Sequence, residues 1–216
     1  MIAKDGYKII FYTGVLVLIL LILALQYASA WLWTLTILSG LIFVFHFFFF
    51  RDPEREIPSG DNLILSPADG RIIKIDTIEE SVYIKGPALR VAIFMSVFNA
   101  HINRNPVNGM VEHVAHKSGQ FLAAFADEAP DANERTEIGV QTEFGKVFFI
   151  QIAGLIARRI VCRLSEGRQV SAGLRFGMIK YSSRVDLFLP PDTKLNVALK
   201  DNVHAGKTII GEFSRD

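Results

Sequence analysis

Three short stretches set reactive side-chain types beside apolar, strand-like sequence: Ser66-Pro67-Ala68-Asp69-Gly70, FNAHINRNP (98–106) and YSSRVDLFLP (181–190). They supply a carboxylate at Asp69, an imidazole at His101 and a pair of hydroxyls at Ser182 and Ser183. A serine hydroxyl becomes a useful nucleophile once a neighbouring base takes its proton, and histidine, with a pKa near neutrality, suits that role. Each stretch also has a plain structural reading. An Asp between Pro and Gly forms turns, a lone histidine sits in a core or on a surface, and paired serines mark a turn. His113 and His116 do not combine with His101 in a metal-ligand spacing, and the single Cys162 allows neither an internal disulfide nor a Cys-rich zinc site, so no metal is expected. The sequence has no GxGxxG, P-loop, HExxH or GxSxG signature.

Charge is distributed unevenly. Residues 155–184 hold seven basic side chains, Arg158, Arg159, Arg163, Arg168, Arg175, Lys180 and Arg184, against one acidic residue, Glu166. Such a window could contact phosphate or carboxylate groups of lipids, with Arg158, Arg159 and Arg184 as the candidate contacts, or it could be an ordinary solvated strand face. Beyond Arg51 the chain as a whole balances 20 Lys+Arg against 21 Asp+Glu, which argues against general nucleic-acid binding.

The elements that must position these groups read as strands. RIIKI (71–75), VAIFMSV (91–97), GMVEHVAH (109–116), EIGVQTEF (137–144), KVFFIQIAG (146–154), RRIVCRL (158–164), RVDLFL (184–189), LNVAL (195–199) and TIIGEF (208–213) are short, rich in Val, Ile and Phe, and bounded by turn residues. The pattern predicts a mainly β domain, a sandwich or barrel, over 61–216. A helix is plausible only around 119–126, where a strand or loop is equally open, and the polar segment 127–137 reads as a surface loop. Pro53, Pro58, Ser59 and Gly60 mark a linker over 52–60.

Residues 1–51 belong to a different solvent. Between Lys8 and Arg51 there are 42 consecutive residues without Asp, Glu, Lys or Arg. At about 1.5 Å per residue that is roughly twice the ~30 Å hydrocarbon thickness of a bilayer. Two spans, about 9–25 and 31–50, joined by the uncharged QYASA, form a transmembrane hairpin in this reading. A second apolar segment follows the first at once, unlike a cleaved signal peptide. Lys4, Lys8, Arg51 and Arg55 flank the hairpin on one side, so the positive-inside rule puts both termini in the cytoplasm, with the β domain on the cytoplasmic face of the cell membrane.

FFRDPERxIP (49–58), LSPADGRI (65–72), FMSVFNAHINRNPVNG (94–109), NER (133–135), IAGLIARRIV (152–161) and RFGMIKYSSRVDLFLP (175–190), in this order and spacing, resemble the short, membrane-anchored bacterial form of phosphatidylserine decarboxylase. The resemblance implies a self-made cofactor, a pyruvoyl group derived from Ser183. In that family the chain cuts itself before a serine in a Phe-Gly-Ser-Arg-Val-Asp-like motif, which falls here on Tyr181, Ser182, Ser183, Arg184, Val185 and Asp186, with Ser182 in place of glycine. The serine hydroxyl attacks the preceding carbonyl, the resulting ester undergoes β-elimination, and the dehydroalanine hydrolyses to pyruvoyl and ammonia. The implied products are a β chain, 1–182, and an α chain, 183–216, which stay associated. Asp69, His101 and Ser183 match the family's cleavage set, Asp69 orienting His101 as base and proton donor. Longer members have a second histidine where this chain has Arg104, so His101 would serve both cleavage and decarboxylation, with His116 in reserve. The implied reaction is decarboxylation of membrane phosphatidylserine to phosphatidylethanolamine through a Schiff base on the pyruvoyl group, as a step of phospholipid biosynthesis. Higher oligomers are compatible with it. A membrane-tethered lipoyl-like binding module and a serine hydrolase using Ser183, His101 and Asp69 are the alternative readings.

Overall fold

A computed structural model of the chain describes residues 1–126, 128–155, 159–181 and 183–214. Two units result, Met1–Glu54 and Arg55–Asp216.

In the first unit a 3-10 turn, Lys4–Gly6, leads into α1 (Tyr7–Tyr27), and α2 (Ala30–Phe49) follows. The connection is tighter than QYASA implied, because α1 continues through Tyr27 and then stops at Ala28. That residue takes a left-handed φ of 48° while its N–H still donates to Ala24 O at 3.0 Å. Both helices are long and apolar enough to cross a membrane, and only 6% and 17% of their most apolar windows are buried. Gly14 meets the Phe43 ring: a Cβ there would stand 3.0 Å from it, so the glycine lets the helices approach closely. Backbone bonds Ala3 N–H to Phe50 O and Asp52 N–H to Met1 O, both 2.8 Å, bring the two ends of the hairpin together.

The second unit is mainly β. Its strands are β1 (Leu63–Leu65), β2 (Gly70–Glu80), β3 (Gly86–Met95), β4 (Ile102–Arg104), β5 (Gly109–Lys117), β6 (Arg135–Thr142), β7 (Gly145–Ala153), β8 (Arg159–Cys162), β9 (Gln169–Val170), β10 (Arg175–Lys180), β11 (Ser183–Leu189), β12 (Lys194–Leu195), β13 (Asn202–Val203) and β14 (Ile209–Glu212), with a four-residue helix α3 (Ala129–Ala132). An eight-stranded sheet, β13-β2-β3-β11-β7-β6-β5-β9, curls into a half-barrel, accompanied by β4-β10-β8 and β1-β14-β12.

Alternation decides which side chains fill it. Ile72, Val91, Ile93, Met95, Ile138, Val140, Val147, Phe149, Val185, Leu187 and Leu189 point inward and form the main core with Ile210 and Phe213 of the C-terminal sheet. The intervening positions Ala88, Phe148, Ile150, Ile152 and Phe188 build a second cluster with Tyr83 on the outer face. β11 is therefore buried along its whole length, the charged Arg184 and Asp186 included.

Three local expectations change. The 119–126 segment is not helical: the Gln120 N–H donates to Ala132 O and Gln120 O accepts from the Glu134 N–H, which draws the chain out along 132–134. The helical turn lies instead in the segment read as surface loop, as α3, with Pro130 in its first turn, where a missing N–H costs nothing. The strand expected at 195–199 ends at Leu195, because Asp201 Oδ2 accepts the Ala198 N–H and turns the chain.

Candidate active site

Ser183 opens β11 where the chain passes from the β4-β10-β8 sheet into the eight-stranded one. β10 ends at Lys180, and three residues later Ser183 pairs in register with Met95, the last residue of β3, and with Ala153, the last of β7. The serine is completely buried, and its hydroxyl donates to Met95 Sδ at 3.3 Å. A thioether is a weak acceptor and no base, so this contact holds the hydroxyl without activating it. Tyr181, two residues upstream, has φ 64°, a left-handed conformation that strains a bulky residue. Burial also pushes its phenol pKa up. Ser182, expected on the other side of the bond to be cut, lies outside the described residues, as does Arg158.

His101 is brought to the same place by the backbone. Asn99 Oδ1 accepts from the Ser96 N–H at 2.9 Å and the Ser96 hydroxyl at 2.8 Å, forming the turn that reverses the chain after β3. His101 follows, fully buried, and its carbonyl accepts the Ile179 N–H at 3.4 Å, so it lies beside the end of β10 that runs into 181–183. Its Nδ1 stands 3.0 Å from Asn99 O. A carbonyl only accepts, so Nδ1 carries the proton and Nε2 is the basic nitrogen, the tautomer a general base needs.

Asp69 is placed differently from the expectation. Its carboxylate does not bond His101: Oδ2 accepts from Arg55 Nη2 at 2.7 Å and faces His204 Nδ1 at 3.7 Å, while Oδ1 accepts the Ala205 N–H at 2.8 Å. The following Gly70 is required by close approach, since a Cβ there would fall 2.2 Å from Phe94 O. The SPADG turn reaches the histidine segment through Pro67, whose carbonyl accepts the Arg104 N–H at 3.0 Å and Asn103 Nδ2 at 3.4 Å. Arg104, where the resemblance raises the expectation of a second histidine, is buried and donates from Nη1 to Gly173 O at 2.9 Å.

Two amides escaped the sequence reading as functional groups. Asn103 Nδ2 lies 3.9 Å from the same Met95 sulfur that receives Ser183, and its Oδ1 accepts from Gln151 Nε2 at 2.8 Å. Gln151 is completely buried, and its Oε1 has no hydrogen-bond partner among the described residues. The signal was present: in KVFFIQIAG it alternates with Phe149 and Ala153, which face the core, and a polar residue at such a position needs a reason.

The arginines part company. Arg184, expected as a lipid contact, is only 2% exposed and forms a bidentate pair with Asp186, Nε to Oδ1 at 2.5 Å and Nη2 to Oδ2 at 2.9 Å. Residues two apart in a strand share a face, and both side chains are sealed under the outer cluster. Burial pushes the Asp186 carboxyl up, against the pull of Arg184. Arg159 is exposed on β8, in register with Lys180. His116 stands away from the site, with Nδ1 on Thr136 Oγ1 at 3.2 Å and Nε2 facing Glu134 at 3.8 Å. Cys162 is free, and burial raises its thiol pKa.

Known proteins share this arrangement of sequence. A family model described as phosphatidylserine decarboxylase matches residues 42–211. The phosphatidylserine decarboxylase proenzyme of Desulfotalea psychrophila is 45% identical over 170 residues, 78% of this chain and 79% of that protein. The proenzyme of Syntrophus aciditrophicus is 47% identical over 171 residues, 79% and 80% of the two chains, and that of Chlorobaculum tepidum is 46% identical over 169 residues, 78% of each. The matched stretch runs from α2 into β14 and takes in Asp69, His101 and the whole of β11, so the chain belongs to the phosphatidylserine decarboxylase family.

Proposed function

We propose that the chain is a proenzyme that cuts itself between Ser182 and Ser183 and then converts phosphatidylserine to phosphatidylethanolamine and carbon dioxide. The observation that carries this reading is a fully buried serine two residues after a left-handed tyrosine, at a strand junction whose β10 end is bonded through Ile179 to the backbone of a buried histidine.

In the first reaction Ser183 Oγ leaves Met95 Sδ and attacks the Ser182 carbonyl, His101 Nε2 takes the hydroxyl proton and hands it to the Ser183 nitrogen as the C–N bond breaks, and the peptide becomes an ester. Loss of the Ser183 α-proton expels the Ser182 carboxylate, and water then replaces the nitrogen, which departs as ammonia. Asp69 is a positioning residue in this proposal. It fixes the SPADG turn to Arg55 and Ala205, and Pro67 of that turn holds Asn103 and Arg104, the continuation of the His101 segment.

The residues around Ser183 fit the pyruvoyl group that the family name implies. Ser183, His101, Asn103 and Gln151 are all buried, and Gln151 Oε1, without a partner among the described residues, could accept from a donor such as the substrate's amine. When formed, that group supplies an electron-accepting carbonyl for loss of carbon dioxide. His101 returns a proton to the reacting carbon in this proposal, and Asn103 and Gln151 orient the bound headgroup. Arg159 is the remaining described candidate for the lipid phosphate. The chain 1–51 serves as a membrane hairpin, 52–60 as a linker and 61–216 as the catalytic unit, on the cytoplasmic side of the cell membrane by the charge rule. The two fragments remain one assembly.

Intact mass of the purified, denatured chain tests this. A fragment starting at position 183, lighter than the plain peptide by the serine-to-pyruvoyl change, is expected, together with release of phosphatidylethanolamine from phosphatidylserine. Ser183→Ala removes both. A single full-length species that still acts on the lipid refutes the proposal, and the same species hydrolysing esters identifies a serine hydrolase instead.

A further inference from the structure

The end of the large sheet at which Ser183 lies carries large apolar side chains turned to solvent. Phe98 is 68% exposed, Leu155 67% and Phe125 66%, with Phe121 and Leu122 also exposed. They come from three separate segments, and the strand register gathers them. Phe98 stands three residues beyond Met95 and Leu155 two beyond Ala153, the two residues that flank Ser183. The third segment is pinned to the same end by Asn133: its Nδ2 donates to Ala153 O at 2.7 Å and to Leu122 O at 2.9 Å, and its Oδ1 accepts the Leu122 N–H at 2.8 Å. The Phe125 ring then packs edge-on to Phe94, with centroids 5.9 Å apart, and Phe94 is the register partner of Arg184.

Single exposed apolar residues are ordinary, but five that converge on one rim are not. We propose that this rim beds into the interfacial layer of a lipid bilayer, with the Ser183 end of the β unit against the membrane. Lipid is the occupant favoured over protein for two reasons. The same chain carries two helices long and apolar enough to cross a membrane, so a bilayer is always within reach of this unit. Exposed Arg159, in register with Lys180, also sets cations at the end of β10 that leads into Ser183, where anionic headgroups would gather. The inference stands on exposure and register and does not depend on the chemistry of Ser183.

The test uses the full-length chain with Cys162→Ala, which removes its one cysteine. Bimane is attached at Phe98→Cys, Phe125→Cys or Leu155→Cys, and at Glu143→Cys as a control in the β6–β7 turn, the opposite end of the same strands. In phosphatidylcholine–phosphatidylglycerol nanodiscs containing acyl-chain nitroxide lipid, quenching at the three rim positions should exceed that at 143 by at least about threefold. Equal quenching at all four positions overturns the proposal. So does rim emission that follows protein concentration rather than quencher lipid, which would identify a second copy. Phe98→Ser/Phe125→Ser in the otherwise natural chain should lower turnover of bilayer phosphatidylserine while the mass of the 183 fragment stays normal. Unchanged turnover also overturns the proposal. Loss of the fragment in the natural chain, with rim quenching intact, removes the cleavage reading alone.

Discussion

Tyr181 offers a quantitative test of how the junction is prepared for cleavage. Its φ of 64° is the left-handed region, where the Cβ of an L-residue crowds the following carbonyl at a cost of about 1–2 kcal/mol. The strain sits one residue before the peptide bond that Ser183 would attack, and replacing that planar peptide by a longer ester linkage through the serine side chain lets the upstream backbone relax. If all of it is released on the way to the ester, relieving it beforehand raises the barrier by the same amount, a slowing of about 5- to 30-fold. Tyr181→Gly relieves it, because glycine occupies this region freely. Tyr181→Ala keeps the strain and removes the ring, and so isolates the backbone effect from the packing of the half-buried side chain. Chains made in a cell-free system with nanodiscs and sampled over time by denaturing mass spectrometry give the rate directly. Tyr181→Ala should cleave close to the natural rate and Tyr181→Gly distinctly more slowly. Equal rates for glycine and alanine, or a faster glycine variant, would refute a role for stored strain.

Asp186→Ala in an uncleavable Ser183→Ala background strands Arg184 in a sealed site and should cost about 3–5 kcal/mol, lowering the apparent Tm in detergent by roughly 6–20 °C. A change below about 2 °C would mean that the pair is hydrated. His101→Ala should leave the chain folded but uncut, as read by circular dichroism and mass, and normal cleavage would remove His101 from that step. Gly177→Ala brings a Cβ within 2.2 Å of Val161 O and 3.0 Å of Gln151 Nε2, so β8 and β10 must separate, and the yield of folded, cleaved protein should collapse. The bond from Arg90, with its charge, holds the Asp76 carboxyl below its usual range. A depressed carboxyl pKa adds stability above the unfolded value, near about 4, and the gain is lost as pH falls through the folded value. The Tm gap between the natural chain and Asp76→Asn should therefore be constant around neutrality and close below about pH 4, and a gap that persists at lower pH would contradict the assignment.

The sequence exposed the parts that local pattern encodes. The 42 uncharged residues show two apolar helices because an uncharged run of that length matches two crossings of a bilayer, and strands such as KVFFIQIAG show through alternation. β10 did not: Gly177 and the charged ends of RFGMIK interrupt the alternation, and only pairing with β4 and β8 makes it a strand. Ser183 and His101 were legible as residue types next to apolar strands, whereas Asn103 looked like one polar residue among several in FNAHINRNP. Arg184 was misread because a charge sum over a window treats every arginine as exposed. Its spacing from Asp186 already placed the two on one face. Asp69 was the least legible, because its partner Ala205 is 136 residues away and belongs to a part of the chain with no chemical signature of its own.

That distant partner bears on how a chain can be cut inside its core and remain whole. β11 lies between β3 and β7, bonded to both along its length, so a break just before Ser183 leaves both ladders standing. Val185, Leu187, Phe188 and Leu189 are nearly or completely buried, and at about 1.5–3 kcal/mol each they hold the strand by roughly 6–12 kcal/mol, before any backbone bond is considered. Further along the same fragment, β14 is the middle strand between β1 and β12, and Asp69 grips the Ala205 N–H from the other side of the cut. The grip gives Asp69 a second consequence beyond positioning the SPADG turn. If the chain is cut as proposed, it ties the fragment that starts at 183 to the turn whose Pro67 carbonyl holds the His101 segment, so the two would keep their relative places once the covalent link between them is gone.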